Sequence, residues 1–274
     1  MVGCPDLQSV ANARATAGPK CGRSVSESRI KYVAELSSGG KSWFRKMVLT
    51  WYAAHGRDLP WRRVRDPYAI LVSEIMLHQT QVATVVPVYE EFMRRFPTVE
   101  SLAAADLEAV KALTDALGYK IRGTWLHQIA RTVSEELQGV FPDSVEALSR
   151  LPGIGRYTAG AIMSFAFERR APIVDTNVNR FIGRYFGLDY RDHHAETRHR
   201  LWALAEAMVP EDEVHAFNQA LMDIGALVCT SRKPACLICP VYSGCVSGGP
   251  SAAHSRAAEF SVDYRVRDGA EHIP

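Results

Sequence analysis

Apolar side chains return every three or four residues along most of the chain between positions 42 and 228. That is the spacing of a helix face, and no alternating pattern of useful strand length competes with it. Leu126, Ile129, Val133 and Leu137, for example, share one face. The periodicity predicts helices over 42–55, 67–79, 82–95, 106–117, 122–137, 143–150, 157–168, 176–186, 195–208 and 214–228. Helix punctuation agrees: Asp143 opens a D-x-x-E capping pattern with Glu146, and Gly118, Gly139 and Gly187 each follow a periodic stretch, where a C-terminal glycine belongs. The fold class is therefore all-α with short connections, and no repeat of solenoid period is present.

At 274 residues, 47% apolar and 23% charged, the chain can bury one large core or two modest ones. No apolar run reaches the ~18 residues of a membrane span, and no compact apolar stretch follows basic residues at the N-terminus. No membrane partner is expected, and the chain reads as cytoplasmic. Residues 1–40 and 246–274 are polar and aperiodic and read as disordered tails around a core over 41–245. The net charge of +2 does not announce a nucleic-acid binder, but its distribution says more. Positions 41–70 hold seven Lys or Arg, Arg62 among them, against two acids, interleaved with Trp43, Trp51, Tyr52, Trp61 and Tyr68. Such a segment can meet a phosphate backbone; it can equally be a solvated face whose aromatics serve the core.

Three features carry candidate chemistry. In LPGIGRYTAGA (Leu151 to Ala161), a short helix, a turn and a second helix from about Arg156 make a helix-hairpin-helix. Gly153 and Gly155 can take positive φ and have no Cβ to block a close approach, so backbone N–H groups of the turn and of the next residues, through Thr158, can point at one phosphate. A tight turn whose glycines serve geometry alone is the competing reading. In AILVSEIML (Ala69 to Leu77), Glu74 is the single ionisable residue, with apolar neighbours around the whole helix. A carboxyl that loses hydration there has a raised pKa and can act as a proton donor, unless it turns to solvent. Asp175, before the helix at Thr176, reads as an N-cap that can also face a ligand. Finally, Cys229, Cys236, Cys239 and Cys245 form C-x6-C-x2-C-x5-C, with Arg232 and Lys233 in the longest loop. Four thiolates can bind zinc or an iron–sulfur cube, and spacing alone does not choose.

Taken together, SEIMLHQTQVATV, LPGIGRYTAGA, IVDTNVNR and the four-cysteine group resemble the catalytic region of MutY-type adenine DNA glycosylases, in the helix-hairpin-helix superfamily that includes endonuclease III. The resemblance covers about Ser42 to Cys245. It implies a two-lobed fold around a DNA-binding cleft, with a six-helix lobe over about 68–176, a second lobe from 41–67 and 177–228, and a cluster loop over 229–245. It implies that Glu74 protonates N7 of a flipped-out adenine, that Asp175 stabilises the cationic sugar, and that Asn177 positions nearby. Tyr157 stands where the strand-cutting relatives carry a lysine; a phenol forms no imine, so the expected product is an intact abasic strand. Gln79 and Tyr119 match positions inserted beside the mismatch, and Arg62, Thr158, Gly153 and Gly155 join them as expected DNA contacts. The resemblance chooses a 4Fe-4S cluster for the cysteines.

Two departures stand out: His78 replaces a usual glutamine, and Lys120 a second tyrosine. The expected partner is double-stranded DNA with a mismatched or oxidised base, bound by a monomer. The 29 residues after Cys245 are too few for the C-terminal lesion-recognition domain usual in the family. The alternatives are a thymine or uracil mismatch glycosylase and a catalytically silent DNA-binding scaffold.

Overall fold

A computed structural model describes residues 35–250 and 260–261; the remainder of the two expected tails lies outside the described residues. The described residues are predominantly helical. The principal helices are α1 (Ser38–His55), α2 (Pro67–Leu77), α3 (Val82–Arg95), α4 (Val99–Ala103), α5 (Leu107–Thr114), α6 (Ile121–Arg131), α7 (Val145–Leu148), α8 (Arg156–Phe165), α9 (Thr176–Phe186), α10 (Ala195–Met208) and α11 (Val214–Asp223). One antiparallel ladder pairs Glu35–Leu36 with Phe260–Ser261, a pairing too short for any alternating pattern to foretell.

Local chemistry sets the helix ends. Asp66 caps α2 by accepting from the Tyr68 and Ala69 N–H groups, with Pro67 supplying a fixed φ at the first position. Gly118, Gly139 and Gly187 take positive φ, as expected. The leader is shorter than expected, because Ser37 caps α1 and brings residues 38–40 into the helix. The capping pattern at Asp143 is out of register by one: Ser144 accepts from Ala147 N, while the Asp143 carboxylate pairs with Arg169 at 2.7 Å. Helix α4, opened by a reciprocal Thr98–Ser101 capping box, is too short for periodicity to find. Two predicted long helices end differently: α6 continues as a π-helical segment over Thr132–Glu136, and α11 over Ile224–Val228.

Two apolar cores form. One gathers buried residues between Leu59 and Ile173 around α2, α6 and α8; the other joins Phe44 and Val48 of α1 to side chains from Val178 to Val241. Leu59 and Trp61, expected with the second lobe, belong to the first core. In the second, the Phe44 ring meets Tyr185 edge-on at 4.8 Å and stacks beside Phe181 at 6.1 Å. Every residue of α2 from Tyr68 to Met76 is buried, which explains why it is apolar all round rather than striped. The chain passes between the cores near residues 48–59 and 173–178, and Met222 of α11 packs against both. Asp175 therefore sits at a crossing point.

Candidate active site between the two cores

A cavity of about 610 Å³ opens at this boundary, and Glu74, Tyr157, Asp175, Asn177, Arg62 and Gln79 all line it. Residues 101 positions apart in sequence thus face one space. The catalytic quartet suggested by sequence comes together here; Tyr119, Gly153, Gly155 and Thr158 are not among the lining residues.

Glu74 is only 3% exposed, and burial lifts its pKa to about 7. The Tyr157 hydroxyl opposes the shift, the Asp175 charge adds to it, and Arg62 opposes it. Although close enough to favour the Glu74 carboxylate, the Tyr157 hydroxyl directs its bond to Met222 Sδ at 3.6 Å, and Glu74 Oε2 is buried without a partner. Burial, then the Glu74 and Asp175 charges, hold the Tyr157 phenol well above its ordinary pKa, so it stays a neutral donor.

Asp175 caps α9. Its Oδ1 accepts from Val178 N at 2.6 Å and its Oδ2 from Asn177 Nδ2 at 3.0 Å. Burial raises its pKa, while these bonds favour its charged form. Asn177 Oδ1 in turn accepts from Arg180 Nη2 at 2.9 Å, and Arg180 Nε donates to the Cys229 carbonyl at 2.7 Å. A hydrogen-bonded path therefore runs from the Asp175 carboxylate to the first cysteine.

Two residues expected among the DNA contacts are buried. Arg62 is 8% exposed, and its two terminal nitrogens are held by both oxygens of buried Asp223 at 2.7 and 2.8 Å. Its two terminal nitrogens are committed to an interior partner, which no local charge count reveals, while its Nε is left without one in the residue's cavity-lining position. Thr158 is buried, with Oγ1 3.3 Å from His78 Nε2, because α8 turns that face toward the core. The glycine turn is half as expected: Gly153 has φ +74°, whereas Gly155 is extended at φ −91° and has nothing within 4 Å of its would-be Cβ. Gln79 is exposed at the cavity mouth with a left-handed φ of +58°, and Tyr119 is exposed with its ring edge-on to Trp125. Buried Arg122 ties the two turns together by donating to the carbonyls of Ile75, His78 and Leu117.

Sequence reasoning passed over Gln219. It lines the cavity, is 2% exposed, and leaves Oε1 without a partner. Its signal was an amide beside Asn218 inside an otherwise apolar helical stretch.

The four cysteines are half-buried free thiols around a second cavity of about 140 Å³. Arg184 Nη1 approaches Cys229 Sγ at 3.4 Å. Among the described residues, no three His, Cys, Asp or Glu side chains are placed to hold one metal ion. No helix among them is long and apolar enough to cross a membrane.

Residues 72–207 match the family described as HhH-GPD superfamily base excision DNA repair protein. A thymine/uracil-DNA glycosylase of Pyrobaculum aerophilum is 37% identical over 202 residues, 72% of this chain and 88% of that protein. The chain belongs to the HhH-GPD superfamily.

Among relatives of this HhH-GPD protein, the human adenine DNA glycosylase is 46% identical over 222 residues, 78% of this chain but 40% of that protein. The chain spans about half the length of the adenine DNA glycosylases it matches, 40% of the human protein and 59% of one from Buchnera aphidicola, for example. A solved thermostable thymine-DNA glycosylase superposes with a TM-score of 0.71 at 34% identity, over 78% of this chain and 98% of the other.

Proposed function

We propose that the chain is a monofunctional adenine DNA glycosylase that hydrolyses the N-glycosidic bond of adenine mispaired with 8-oxoguanine or guanine in duplex DNA. One observation carries this reading: Glu74 Oε2, Gln219 Oε1 and Arg62 Nε are buried without partners, and all three residues line one cavity. Buried polar atoms are costly when unpaired, so a cavity with acceptors and a donor left open suits a ligand with a polar edge and a flat apolar body, as a nucleobase has. A base reaches such a space only when extruded from the duplex. Gln219 Oε1 would accept from an exocyclic amine.

Protonated Glu74 gives its proton to N7 of the base. The C1′–N9 bond then breaks with its electron pair going to the purine, and positive charge develops on the sugar. Asp175, held by Val178 N and Asn177 Nδ2, presents a carboxylate to that charge. Adenine leaves, water adds at C1′, and the proton it loses returns to the Glu74 carboxylate, leaving an abasic strand. With Tyr157 in place of an amine, no imine forms and the strand is left uncut. Gln79 and Tyr119 enter the gap, and the turn at Gly153 and Gly155 meets the backbone.

Cys229, Cys236, Cys239 and Cys245 would hold a 4Fe-4S cluster. All four side chains line one cavity, and thiolates are the ligands such a cluster takes. The cluster's role would be to fix the basic loop carrying Arg232 and Lys233.

The second reading, thymine or uracil excision, is supported by relatives of that kind matched over most of their length. Duplexes holding adenine opposite 8-oxoguanine or guanine, and thymine or uracil opposite guanine, scored for breaks with and without alkali, separate these readings. Alkali-dependent breaks at adenine are expected; breaks at thymine or uracil alone would overturn the adenine assignment. Tight binding with no breaks would mark a silent scaffold.

A further inference from the structure

Asp223 is fully buried on α11, one residue beyond the cavity-lining Met222. Five nitrogens converge on it: Arg62 Nη1 and Nη2 at 2.7 and 2.8 Å, Arg57 Nε and Nη2 at 2.7 and 2.6 Å, and the Arg57 backbone N–H at 2.9 Å. Arg62 lines the cavity together with Glu74, and its charge acts on the Glu74 carboxyl. Two carboxyls thus stand within the influence of one guanidinium. One of them is ionised and doubly bonded to it; the other has a buried, unpartnered oxygen. In a poorly solvated space a guanidinium free to reach Glu74 would pair with its carboxylate and expel the proton.

We infer that Asp223 is a positioning residue: it commits the Arg62 fork to itself and keeps it from pairing with Glu74, so that Glu74 retains the proton it must donate. The inference rests on Glu74 being the proton donor. The other groups facing Glu74 are the neutral Tyr157 phenol of α8 and the Asp175 carboxylate at the head of α9, both of which Asp223 leaves untouched. His78, at the C-cap of α2, is driven toward its neutral form by burial and by Arg122. Gln219 and Met222, the cavity-lining side chains of α11, carry no charge.

The test is the pH dependence of single-turnover adenine excision. Asp223→Asn is expected to move the alkaline limb to lower pH by about one unit, a roughly tenfold loss at a fixed pH above it, while activity at the acid end persists. Arg62→Lys keeps the charge but gives up the two-pronged bond and leaves Asp223 paired with Arg57, so it burdens the fold less; the same direction of shift is expected. In Asp223→Asn/Arg62→Gln the limb returns to that of Arg62→Gln alone, because Asp223 acts through Arg62. If Asp223→Asn and Arg62→Lys lower the rate equally at every pH, the inference is overturned. Glu74→Gln run alongside distinguishes the two levels. Full activity there removes the proton donor itself, whereas an inactive Glu74→Gln with unmoved limbs in the other variants removes only the role of Asp223.

Discussion

Gly153 lies under the indole of Trp125: a Cβ at position 153 would come within 2.5 Å of the ring, and the residue's φ is +74°. Gly153→Ala is therefore expected to cost about 2–4 kcal/mol, from the left-handed backbone and the collision together. Gly155 is extended and faces open space, so Gly155→Ala should alter stability by less than ~0.5 kcal/mol while weakening duplex binding by obstructing the approach of a phosphate. Urea melts and fluorescence anisotropy with a labelled duplex check the pair.

Glu74 donates only while protonated, and burial sets its pKa at about 7, so the excision rate is expected to fall as pH rises through 7. Glu74→Gln should bind the duplex but excise at least ~10²-fold more slowly in single-turnover assays. Because the folded-state pKa is above the ordinary carboxyl value of 4.5, the stability linked to this group is present below pH 4.5 and lost as pH rises through 7. The glutamine variant escapes that loss and should be more stable than the parent at pH 8, by on the order of 3 kcal/mol in denaturant melts.

Tyr157→Lys puts an amine against Glu74 and Asp175. Borohydride added during reaction with a cleavable duplex should then trap a protein–DNA adduct, visible as a slow band on a denaturing gel. Tyr157→Phe, which keeps the ring, should give none.

Iron analysis of the purified chain should find about four irons, and Cys239→Ser should lose most of them with a fall in melting temperature. Zinc at one ion per chain would refute the cluster reading.

The helical class was legible because α3 and α9 repeat at helix spacing, with Asp175 and Gly187 marking the ends of α9, and Glu74 was legible because one carboxyl in an apolar helix has few places to hide. For Arg62, the partner was not legible, and for the opposite reason. Its neighbours in sequence are basic and aromatic, whereas the group that claims it is 161 positions away on α11. Thr158 was assigned by its nearness to the glycine turn, but helical rotation carries it one step from Tyr157 into the core. Gln219 became visible only when the fold set its unpaired oxygen in the same cavity as Glu74. Pairings made across the chain leave no local pattern.

The π-helical segment over Ile224–Val228 sets the rotational phase of the cysteine loop. Its closing bond, from Cys229 N to the Ile224 carbonyl at 2.7 Å, accommodates one residue more than an α-turn would. Deleting a single residue there would leave a smoother helix, yet each α-helical residue advances by roughly 100°, so the Cys229 sulfur would swing away from the other three. The irregular turn is the adjustment that aims the first thiol.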